Sequence, residues 1–354
     1  MNIKIGRKII VLLTGILTVM TLSSCALTRE KRYESSFLEL FDTVSVIVGY
    51  AKDEDEFTKY SQMIYDELEV YNKLFDIYND YDGINNIKTI NDNAGIAPVK
   101  VDKKIIDLLT FSKRMCDETD GKVNIAFGAV LSLWHDCREA GLADPEKAVL
   151  PNYEELKERN KHTDINDMII DEKASTVYLK DPEMSLDVGA IAKGYAVEKA
   201  ALFAQDAGFK NGMISVGGNV RTFGEKYDET GKKVPWSVGI QNPDLSSKDK
   251  VLYDLNLSGY SLVTSGVYER YYTVNGKQYH HIIDPETLMP TEYFLSVSIV
   301  CVDSGMADAL STAVFNVPYE EGKKMVEELD GVEALWVFPD HTMKYSSGFE
   351  KWIS

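Results

Sequence analysis

The sequence predicts an α+β fold in which mixed or antiparallel sheets are flanked by helices. Predicted strands occur in runs between helices rather than in the strict alternation that a doubly wound parallel sheet requires. Two β-rich runs, 271–274 and 277–283, are separated by Asn275-Gly276, a dipeptide typical of a type I′ hairpin. A hydrophobic content of 44% without a long low-complexity stretch indicates one large domain or two closely joined ones.

The first residues predict a secreted protein that is held by a lipid. Basic residues precede a run of about fourteen apolar residues, which ends in the lipobox-like Leu22-Ser23-Ser24-Cys25. We interpret 1–24 as a lipoprotein signal peptide, 25–36 as the lipidated Cys25 with a polar tether, and 37–354 as the domain. The apolar run falls short of the roughly twenty residues that cross a bilayer, and an ordinary signal peptide with a chance cysteine is the other alternative. We therefore expect an extracytoplasmic protein, anchored to the bacterial cell membrane through Cys25.

The charge of the chain excludes some partners. The sequence has 38 basic and 56 acidic residues, a net charge of −18. The predicted signal peptide holds three of the basic residues and none of the acidic ones, which leaves a net charge of −21. Such a surface repels nucleic acid and anionic lipid, so no nucleic-acid partner is expected.

The remaining cysteines do not indicate a cross-linked or zinc-binding protein. Cys116, Cys137 and Cys301 are odd in number and show no C-x-x-C spacing. We interpret them as small hydrophobic residues of the core.

Helical periodicity dominates the first half of the domain. After a β-rich run over 40–49, apolar residues recur at helical spacing from 53 to 75. A second helix is predicted from the N-cap Asp102 to Met115. The following segments are a loop-rich stretch over 138–166, short strands over 168–171 and 176–180, and an Ala-rich helix between Gly189 and Gly208.

The second half of the domain is predicted to be richer in strands. In chain order, its elements are strands over 213–218, 236–240 and 251–257, the hairpin, a strand over 294–302, helices over 304–317 and 319–329, and a closing strand over 332–338.

Three glycine-containing segments have the character of anion sites. Segment 187–194, DVGAIAKG, leads into a helix N-terminus, whose free N–H groups suit a phosphate; Asp187 and Lys193 flank that end. Gly217-Gly218 follows a strand and lets backbone amides approach an anion, and Thr264-Ser265-Gly266 adds two hydroxyls. A plain strand-to-helix turn and a plain tight turn are the alternatives for the first two.

One helix offers a pair of oxygen ligands. Asp308 and Thr312 are four residues apart, so they share one face of an otherwise small and apolar helix. A carboxylate and a hydroxyl are the hard ligands that Mg²⁺ takes together with phosphate oxygens. An aspartate that only caps the first turn is the alternative.

Hairpin register separates the adjacent histidines His280 and His281. Counting outward from the turn pairs Tyr271 with His280 and Arg270 with His281, and successive strand residues face opposite sides. Only one of the two can therefore point into a given site. If that one is His281, Arg270 disfavours its protonation and leaves a neutral imidazole that can accept a proton. A structural histidine is the alternative.

Together these segments resemble the ApbE family of FAD:protein FMN transferases over nearly the whole domain. No single segment decides this, but eight of them occur in the family's order: FDT at 41–43, FDIYNDYDG at 75–83, GKVN at 121–124, DVGAIAKGYAVEKA at 187–200, SVGGNVRTFG at 215–224, TSGVYERYY at 264–272, HHIIDP at 280–285 and DSGMADALSTAVF at 303–315.

The resemblance implies a single catalytic unit of an ApbE-like, T-fold-related type. It implies Mg²⁺-dependent cleavage of FAD, transfer of FMN to a Ser or Thr hydroxyl of another protein through a phosphoester, and release of AMP. The expected acceptors are flavoproteins of extracytoplasmic electron transfer. By position, the base is His281, the metal ligands are Asp308, Thr312 and the carbonyl of Ala190, and the FAD-binding residues are Phe41, Tyr78, Lys122, Val123, Asn124, Asp187, Lys193 and Ile282.

Three positions depart from the family pattern. Phe41-Asp42-Thr43 replaces Met-Gly-Thr, Val123-Asn124 replaces Phe-Asp, and Leu288 replaces a glycine after Asp-Pro-x-Thr. These positions concern contacts with the flavin ring, whereas the metal and phosphate segments are intact. An FAD pyrophosphatase that releases FMN and AMP, and a non-catalytic flavin-binding lipoprotein, are the alternative functions.

Overall fold

The computed structural model describes residues 30–354, so the predicted signal peptide and Cys25 lie outside the described residues. The strands are β1 (Lys31–Phe37), β2 (Ser45–Ala51), β3 (Val99–Lys100), β4 (Met168–Asp171), β5 (Thr176–Leu179), β6 (Gly212–Val216), β7 (Asn219–Phe223), β8 (Lys226–Tyr227), β9 (Lys233–Val234), β10 (Trp236–Gln241), β11 (Val251–Leu257), β12 (Ser261–Gly266), β13 (Tyr271–Val274), β14 (Lys277–His280), β15 (Ser296–Cys301), β16 (Glu333–Val337) and β17 (Met343–Tyr345). The helices are α1 (Glu54–Phe75), α2 (Ile87–Asp92), α3 (Lys103–Glu118), α4 (Gly128–Ala143), α5 (Tyr153–Arg159), α6 (Ala192–Asp206), α7 (Ser304–Phe315) and α8 (Tyr319–Glu327).

An eight-stranded antiparallel sheet forms the centre of the fold. Its strand order is β1-β2-β6-β7-β12-β15-β16-β17, and every neighbouring pair is antiparallel. Helices pack on one face in the largest hydrophobic cluster, and the β10–β11 pair covers the other face in a second cluster. The predicted α+β class with antiparallel sheets is confirmed.

Burial on both faces explains the composition of the central strands. Ile47 and Val48 are neighbours on β2, yet Ile47 belongs to the cluster under the helices and Val48 to the cluster under β10–β11. Ile299 and Val300 divide in the same way on β15. Successive strand residues point to opposite faces, so a strand covered on both sides is apolar throughout and shows little alternation.

The predicted starts of two helices are confirmed by their caps. The carboxylate of Asp53 accepts a hydrogen bond from Glu56 N at 2.9 Å at the start of α1. Asp102 accepts from Lys104 N at 2.8 Å at the start of α3. Each carboxylate satisfies an N–H group that has no partner within its helix.

Part of the predicted tether is folded. Residues 31–37 form β1, which pairs along its whole length with β2, from Lys31 opposite Ala51 to Phe37 opposite Ser45. The polar sequence concealed this strand because an edge strand exposes one face, and only alternate side chains of β1 are partly buried. Tyr33 and Phe37 use those positions to contact rings of α1.

The stretch predicted as loop-rich over 138–166 contains helices. Helix α4 continues to Ala143, and α5 begins after Asn152, whose side chain accepts from the backbone of Glu154 and Glu155. Charged residues on exposed helix faces gave these segments the composition of a loop. Within residues 30–354, no helix combines the length and the apolar character needed to cross a bilayer.

The interpretation of the cysteines as small residues of the core is confirmed for two of the three. Cys116 and Cys301 are buried, Cys137 is partly buried, and none forms a disulfide within the described chain. Burial raises the pKa of Cys116 to about 11 and that of Cys301 to about 12, so both thiols stay protonated and unreactive at neutral pH.

Removal of β1 tests whether residues 31–37 belong to the domain. We expect a chain that begins at residue 38 to lose about 3 kcal/mol in free energy of unfolding relative to one that begins at residue 30, because the ring contacts of β1 disappear. Urea unfolding followed by circular dichroism measures the difference. Equal stabilities would show that the segment behaves as a tether.

Candidate active site

The start of α6 is capped by a side chain of α7. The N–H of Gly194 lies in the first turn of α6, has no acceptor within its own helix, and donates to Oδ2 of Asp308 at 2.7 Å. The helix N-cap, Ile191, supplies no side-chain acceptor. Ala190 precedes the helix, and within residues 30–354 its carbonyl oxygen accepts no backbone hydrogen bond, so it is available as a ligand.

Close contact between α6 and α7 requires a glycine at position 194. A Cβ atom there would lie 2.2 Å from the carbonyl oxygen of Ser304 and 2.5 Å from Cβ of Asp308. The first of these atoms belongs to the backbone and the second is the Cβ of Asp308. Because neither atom moves when a side chain changes rotamer, no rotamer change could make room. The small residue lets the backbone of α6 reach the carboxylate of Asp308.

Asp308 is a buried carboxylate with an unusual affinity for protons. Burial raises its pKa to about 6, while the charge of Lys193, the hydrogen bond from Gly194 and the carboxamide of Asn219 act in the opposite direction. The Asn219 Nδ2 atom is itself buried and forms no hydrogen bond within the described residues, so its effect on Asp308 is that of a nearby dipole. A cation at this point would offset the cost of the buried negative charge.

The residues around Asp308 fit a magnesium ion. Thr312 follows one turn later on α7, is only partly buried, and makes no side-chain hydrogen bond to any residue in 30–354. No group of three or more His, Cys, Asp or Glu side chains in this range could hold a metal. A carboxylate, a hydroxyl and the Ala190 carbonyl are nevertheless the hard oxygen donors that Mg²⁺ accepts when substrate phosphates and water complete its shell.

His280 is fully occupied by the protein. Its Nε2–H donates to the carbonyl of Thr291 at 2.8 Å, and its Nδ1 accepts from Ile282 N at 3.2 Å. The ring is buried and lies edge-on to Phe315 at 5.5 Å. With both nitrogens used, His280 is a packing residue.

His281 leaves one nitrogen free. Its backbone N–H bonds to the carbonyl of Arg270, which confirms the predicted register. The Nδ1–H donates to the same carbonyl at 3.1 Å, because a carbonyl can only accept. This bond fixes the tautomer and leaves Nε2 as an unprotonated acceptor.

The imidazole of His281 is neutral. The residue is partly exposed, but its ring is closely surrounded by protein atoms, and this burial is the main cause that lowers its pKa to about 3. The charges of Arg270 and Lys193 lower the pKa further. The predicted influence of Arg270 is thus present, but burial has the larger effect.

Lys193 acts electrostatically on both the histidine and the aspartate. Its positive charge lowers the pKa of His281 and that of Asp308, so it lies within electrostatic reach of both groups. Within residues 30–354 it forms no ion pair, although the chain is rich in carboxylates. An unpaired cation within reach of a neutral imidazole and an oxygen-ligand pair is suited to a phosphate group.

Asp187 and Tyr78 lie within electrostatic reach of each other. Asp187 accepts from Gly189 N at 2.8 Å, and burial raises its pKa against the opposing charges of His135, Arg270 and Arg138. Desolvation and the negative charge of Asp187 raise the pKa of Tyr78 to about 12, although much of the ring is exposed. Arg270 acts on the pKa of both Asp187 and His281, and a single site formed by Asp187, Lys193, Tyr78 and His281 stays a prediction.

His135 and Arg138 belong to this site but were missed by the sequence analysis. The ring of His135 stacks on Tyr78 with centroids 5.2 Å apart. Arg138 donates to Nδ1 of His135 at 2.9 Å. Their spacing of three residues on α4 was the available signal, because residues three apart share a helix face.

Lys122, Val123 and Asn124 all make contacts within the protein. Lys122 is buried and pairs with Asp284 at 3.2 Å and Glu286 at 2.7 Å, just beyond His281. The side chain of Val123 lies in the core, and Asn124 donates to the carbonyl of Thr163. Contact of these three residues with a flavin stays a prediction.

Phe41 and Ile282 occupy different environments. Phe41 lies in a turn with φ of 54°, and its N–H donates to Oδ1 of Asn72 at 2.8 Å. This turn abuts the glycine pair that precedes Asn219, since a Cβ on Gly217 would lie 2.8 Å from Oγ1 of Thr43. Ile282 is buried in the core. A role of either residue in FAD binding is untested.

The hydroxyls of Thr264 and Ser265 lie on β12 and bond within the protein. Thr264 bonds to Ser298 across the sheet at 2.7 Å. Ser265 bonds to Ser311 of α7 at 2.8 Å, and Ser311 donates to the carbonyl of Asp308. Ser265 therefore links β12 to the helix that carries Asp308.

Leu288 shows why a glycine suits its position. Its φ of 61° lies in the left-handed region, which disfavours residues with a Cβ. Burial of its side chain beside α4 offsets this strain, and its carbonyl accepts from Nε1 of Trp134 at 3.1 Å.

Comparison with known proteins identifies the family. The sequence model of the ApbE family matches residues 41–336. The chain belongs to the ApbE family. The FAD:protein FMN transferase of Treponema pallidum (strain Nichols) is 34% identical over 272 residues, 74% of this chain and 73% of that protein. The FAD:protein FMN transferase of Haemophilus influenzae is 27% identical over 348 residues, 96% of this chain and 97% of that protein.

A solved ApbE structure has the same fold. The crystal structure of the ApbE protein from Thermotoga maritima superposes with a TM-score of 0.79 at 29% identity, over 92% of this chain and 100% of that chain. The predicted membership of the ApbE family is confirmed.

A methyl group at Gly194 should disturb the site. We expect Gly194→Ala to push α6 and α7 apart, to lower the free energy of unfolding by about 1–3 kcal/mol, and to weaken the bond to Asp308. Thermal unfolding measures the stability. Gly322→Ala is the matched control, since Gly322 is also in a helix but its added Cβ would approach no atom closer than 3.3 Å. Equal effects of the two substitutions would contradict a special role for the crossing.

Proposed function

We propose that this protein is an FAD:protein FMN transferase that uses Mg²⁺, joins FMN to a Ser or Thr hydroxyl of an acceptor protein, and releases AMP. The observation that carries the proposal is the hydrogen bond from Gly194 N to Asp308 at 2.7 Å, which holds the candidate metal ligand against the start of α6, next to Lys193. The charge of Lys193 acts on the pKa of both Asp308 and His281, which supports a candidate base and a candidate metal ligand within one site. Membership of a family whose curated relatives are named FAD:protein FMN transferases supports the enzyme class and FAD as substrate.

His281 would accept the proton of the incoming hydroxyl. As that proton moves to Nε2, the acceptor oxygen forms a bond to the FMN phosphorus, the phosphoanhydride bond breaks, and its electron pair leaves with AMP. A pKa near 3 makes His281 a weak base in the free protein. The phosphates of FAD would offset the charges of Arg270 and Lys193 and so raise that pKa toward the range where proton transfer is efficient.

Asp308, Thr312 and the carbonyl of Ala190 would hold the Mg²⁺. When bound, the ion offsets negative charge on the pyrophosphate and on the leaving AMP. Lys193 and the N–H groups at the start of α6 would bind phosphate oxygens directly. Asp187 and Tyr78 would position the rest of FAD, Asp187 through a hydroxyl group of the ribityl or ribose.

Direct detection of the product tests the function. The protein is incubated with FAD, Mg²⁺ and a candidate acceptor domain, and intact-mass analysis reports an added FMN on an acceptor Ser or Thr. Release of FMN and AMP without an adduct on any acceptor would favour an FAD pyrophosphatase. Intact FAD would leave only a flavin-binding protein.

The cellular location and the acceptors are also proposals. The apolar run before Cys25 supports a lipid anchor and an extracytoplasmic position. Flavoproteins of extracytoplasmic electron transfer would then be the accessible acceptors. Loss of the protein from the membrane fraction in a Cys25→Ser variant would support the anchor, and unchanged fractionation would contradict it.

Substitution of the two histidines separates catalysis from packing. We expect His281→Ala to lower the rate of FMN transfer by about 10²–10⁴-fold while FAD still binds, because only the proton acceptor is removed. FAD binding is followed by fluorescence, and transfer by intact mass. His280→Gln is the control, and its effect should fall on stability rather than on the rate of the folded fraction. A fully active His281→Ala protein would remove this residue from the mechanism.

Acid should weaken the binding of Mg²⁺ at Asp308. The folded pKa of Asp308, about 6, lies above its ordinary value, so protons compete with the cation as the pH falls through that value. We expect the half-saturating Mg²⁺ concentration to rise about tenfold per pH unit below about pH 6 and to level off above pH 7. Initial rates at varied Mg²⁺ and pH measure this, and a flat profile would argue against Asp308 as a ligand.

A further inference from the structure

A buried ion pair joins α6 to the central sheet and includes none of the candidate site residues. Nε of Arg221 on β7 donates to Oε2 of Glu198 on α6 at 2.8 Å, and the two side chains are only 6% and 7% exposed. Removal of two charges from water is costly, and a buried pair often stabilises a fold no better than apolar residues would. Both residues lie in segments of the family pattern, yet neither has a role in the proposed chemistry.

The same carboxylate oxygen also reaches α7. Oε2 of Glu198 accepts from the backbone N–H of Ser304, the first residue of α7, at 2.9 Å. The N-cap Asp303 accepts from Met306 N at 3.0 Å, so two carboxylates serve the first turn of this helix. Negative charge at a helix N-terminus is favourable because it faces the positive end of the helix dipole.

Two cross-links therefore join α6 and α7, one turn apart. Glu198 bonds to Ser304, and Gly194 bonds to Asp308 at 2.7 Å. Positions 194 and 198 lie one turn apart on α6, as do 304 and 308 on α7, so the helices run in opposite directions along this contact. Two such bonds fix both the separation of the helices and their rotation about their own axes.

We propose that Glu198 and Arg221 are positioning residues for the cation site formed by Asp308, Thr312 and the carbonyl of Ala190. Arg221 ties Glu198 to the central sheet, and Glu198 holds the first turn of α7 against α6. The Ala190 carbonyl lies at the start of α6 and the two side-chain ligands lie on α7, so the distance between them depends on this joint. The inference rests on the proposed function, because it concerns the metal of that reaction.

Metal binding measured without turnover tests the pair. Free Mn²⁺ is measured by electron paramagnetic resonance while the protein, residues 30–354, is titrated in the presence of ADP. The same titration is made for each variant, and a sample with ADP but no protein is the blank. We expect Glu198→Ala to weaken Mn²⁺ binding about tenfold, the low end of what loss of a group outside the ligand shell costs. Glu198→Gln should recover most of the affinity, because its carbonyl oxygen still accepts from Ser304 N.

Controls separate positioning from general stability. Arg221→Lys keeps the charge but loses the planar fork, and it should weaken Mn²⁺ binding without abolishing folding. Glu67→Gln alters the Lys104–Glu67 pair between α1 and α3, which includes no residue of α6 or α7, and should leave Mn²⁺ affinity unchanged. Thermal unfolding of every variant gives its folded fraction.

The outcomes are distinct. If Glu198→Ala and Arg221→Lys lower only the melting temperature and leave Mn²⁺ affinity equal to that of the parent, the positioning role is overturned while the transferase proposal stands. If the parent transfers FMN but binds no Mn²⁺ with ADP, the metal role of Asp308 fails and this inference fails with it. A selective loss of Mn²⁺ affinity that Gln restores supports the inference.

Discussion

The hydrogen bond from the Gly194 amide to the carboxylate of Asp308 organises the candidate site. It joins the start of α6 to the middle of α7, and it is possible only because residue 194 has no side chain. The carbonyl of Ala190 precedes the helix, accepts no backbone hydrogen bond within residues 30–354, and stays open as a potential ligand. The bond thus joins the two helices at their crossing and orients the carboxylate.

The two faces of the central sheet are covered by different elements, and only one of them carries candidate site residues. On one face, α6 and α7 pack on the strands and carry Lys193, Asp308 and Thr312. On the other face, β10 and β11 bury a second apolar cluster. Because the sheet is covered on both sides, its strands are held firmly, and the helices that carry polar groups can lie close together without loosening the core.

The electrostatics of the candidate site follow from the same packing. Burial holds His281 neutral and raises the pKa of Asp308, although the protein as a whole is strongly acidic. Lys193 and Arg270 supply positive charge where the overall surface supplies negative charge. These local charges would favour a di-anionic pyrophosphate, whereas the net charge of the chain would repel it.

The sequence by itself determined the fold class, the Asn275-Gly276 hairpin and its register, the cap Asp102, and the family, because these follow from local periodicity, turn chemistry and ordered motifs. It also separated His281 from His280, since strand alternation is a local property. Tertiary structure alone decided that β1 is a strand, that Lys122 binds Asp284, that His135 stacks on Tyr78, and that Glu198 and Arg221 join α6, β7 and α7. These contacts link residues that are distant in sequence, or depend on which face is covered, and no local pattern records the partner that packing brings near.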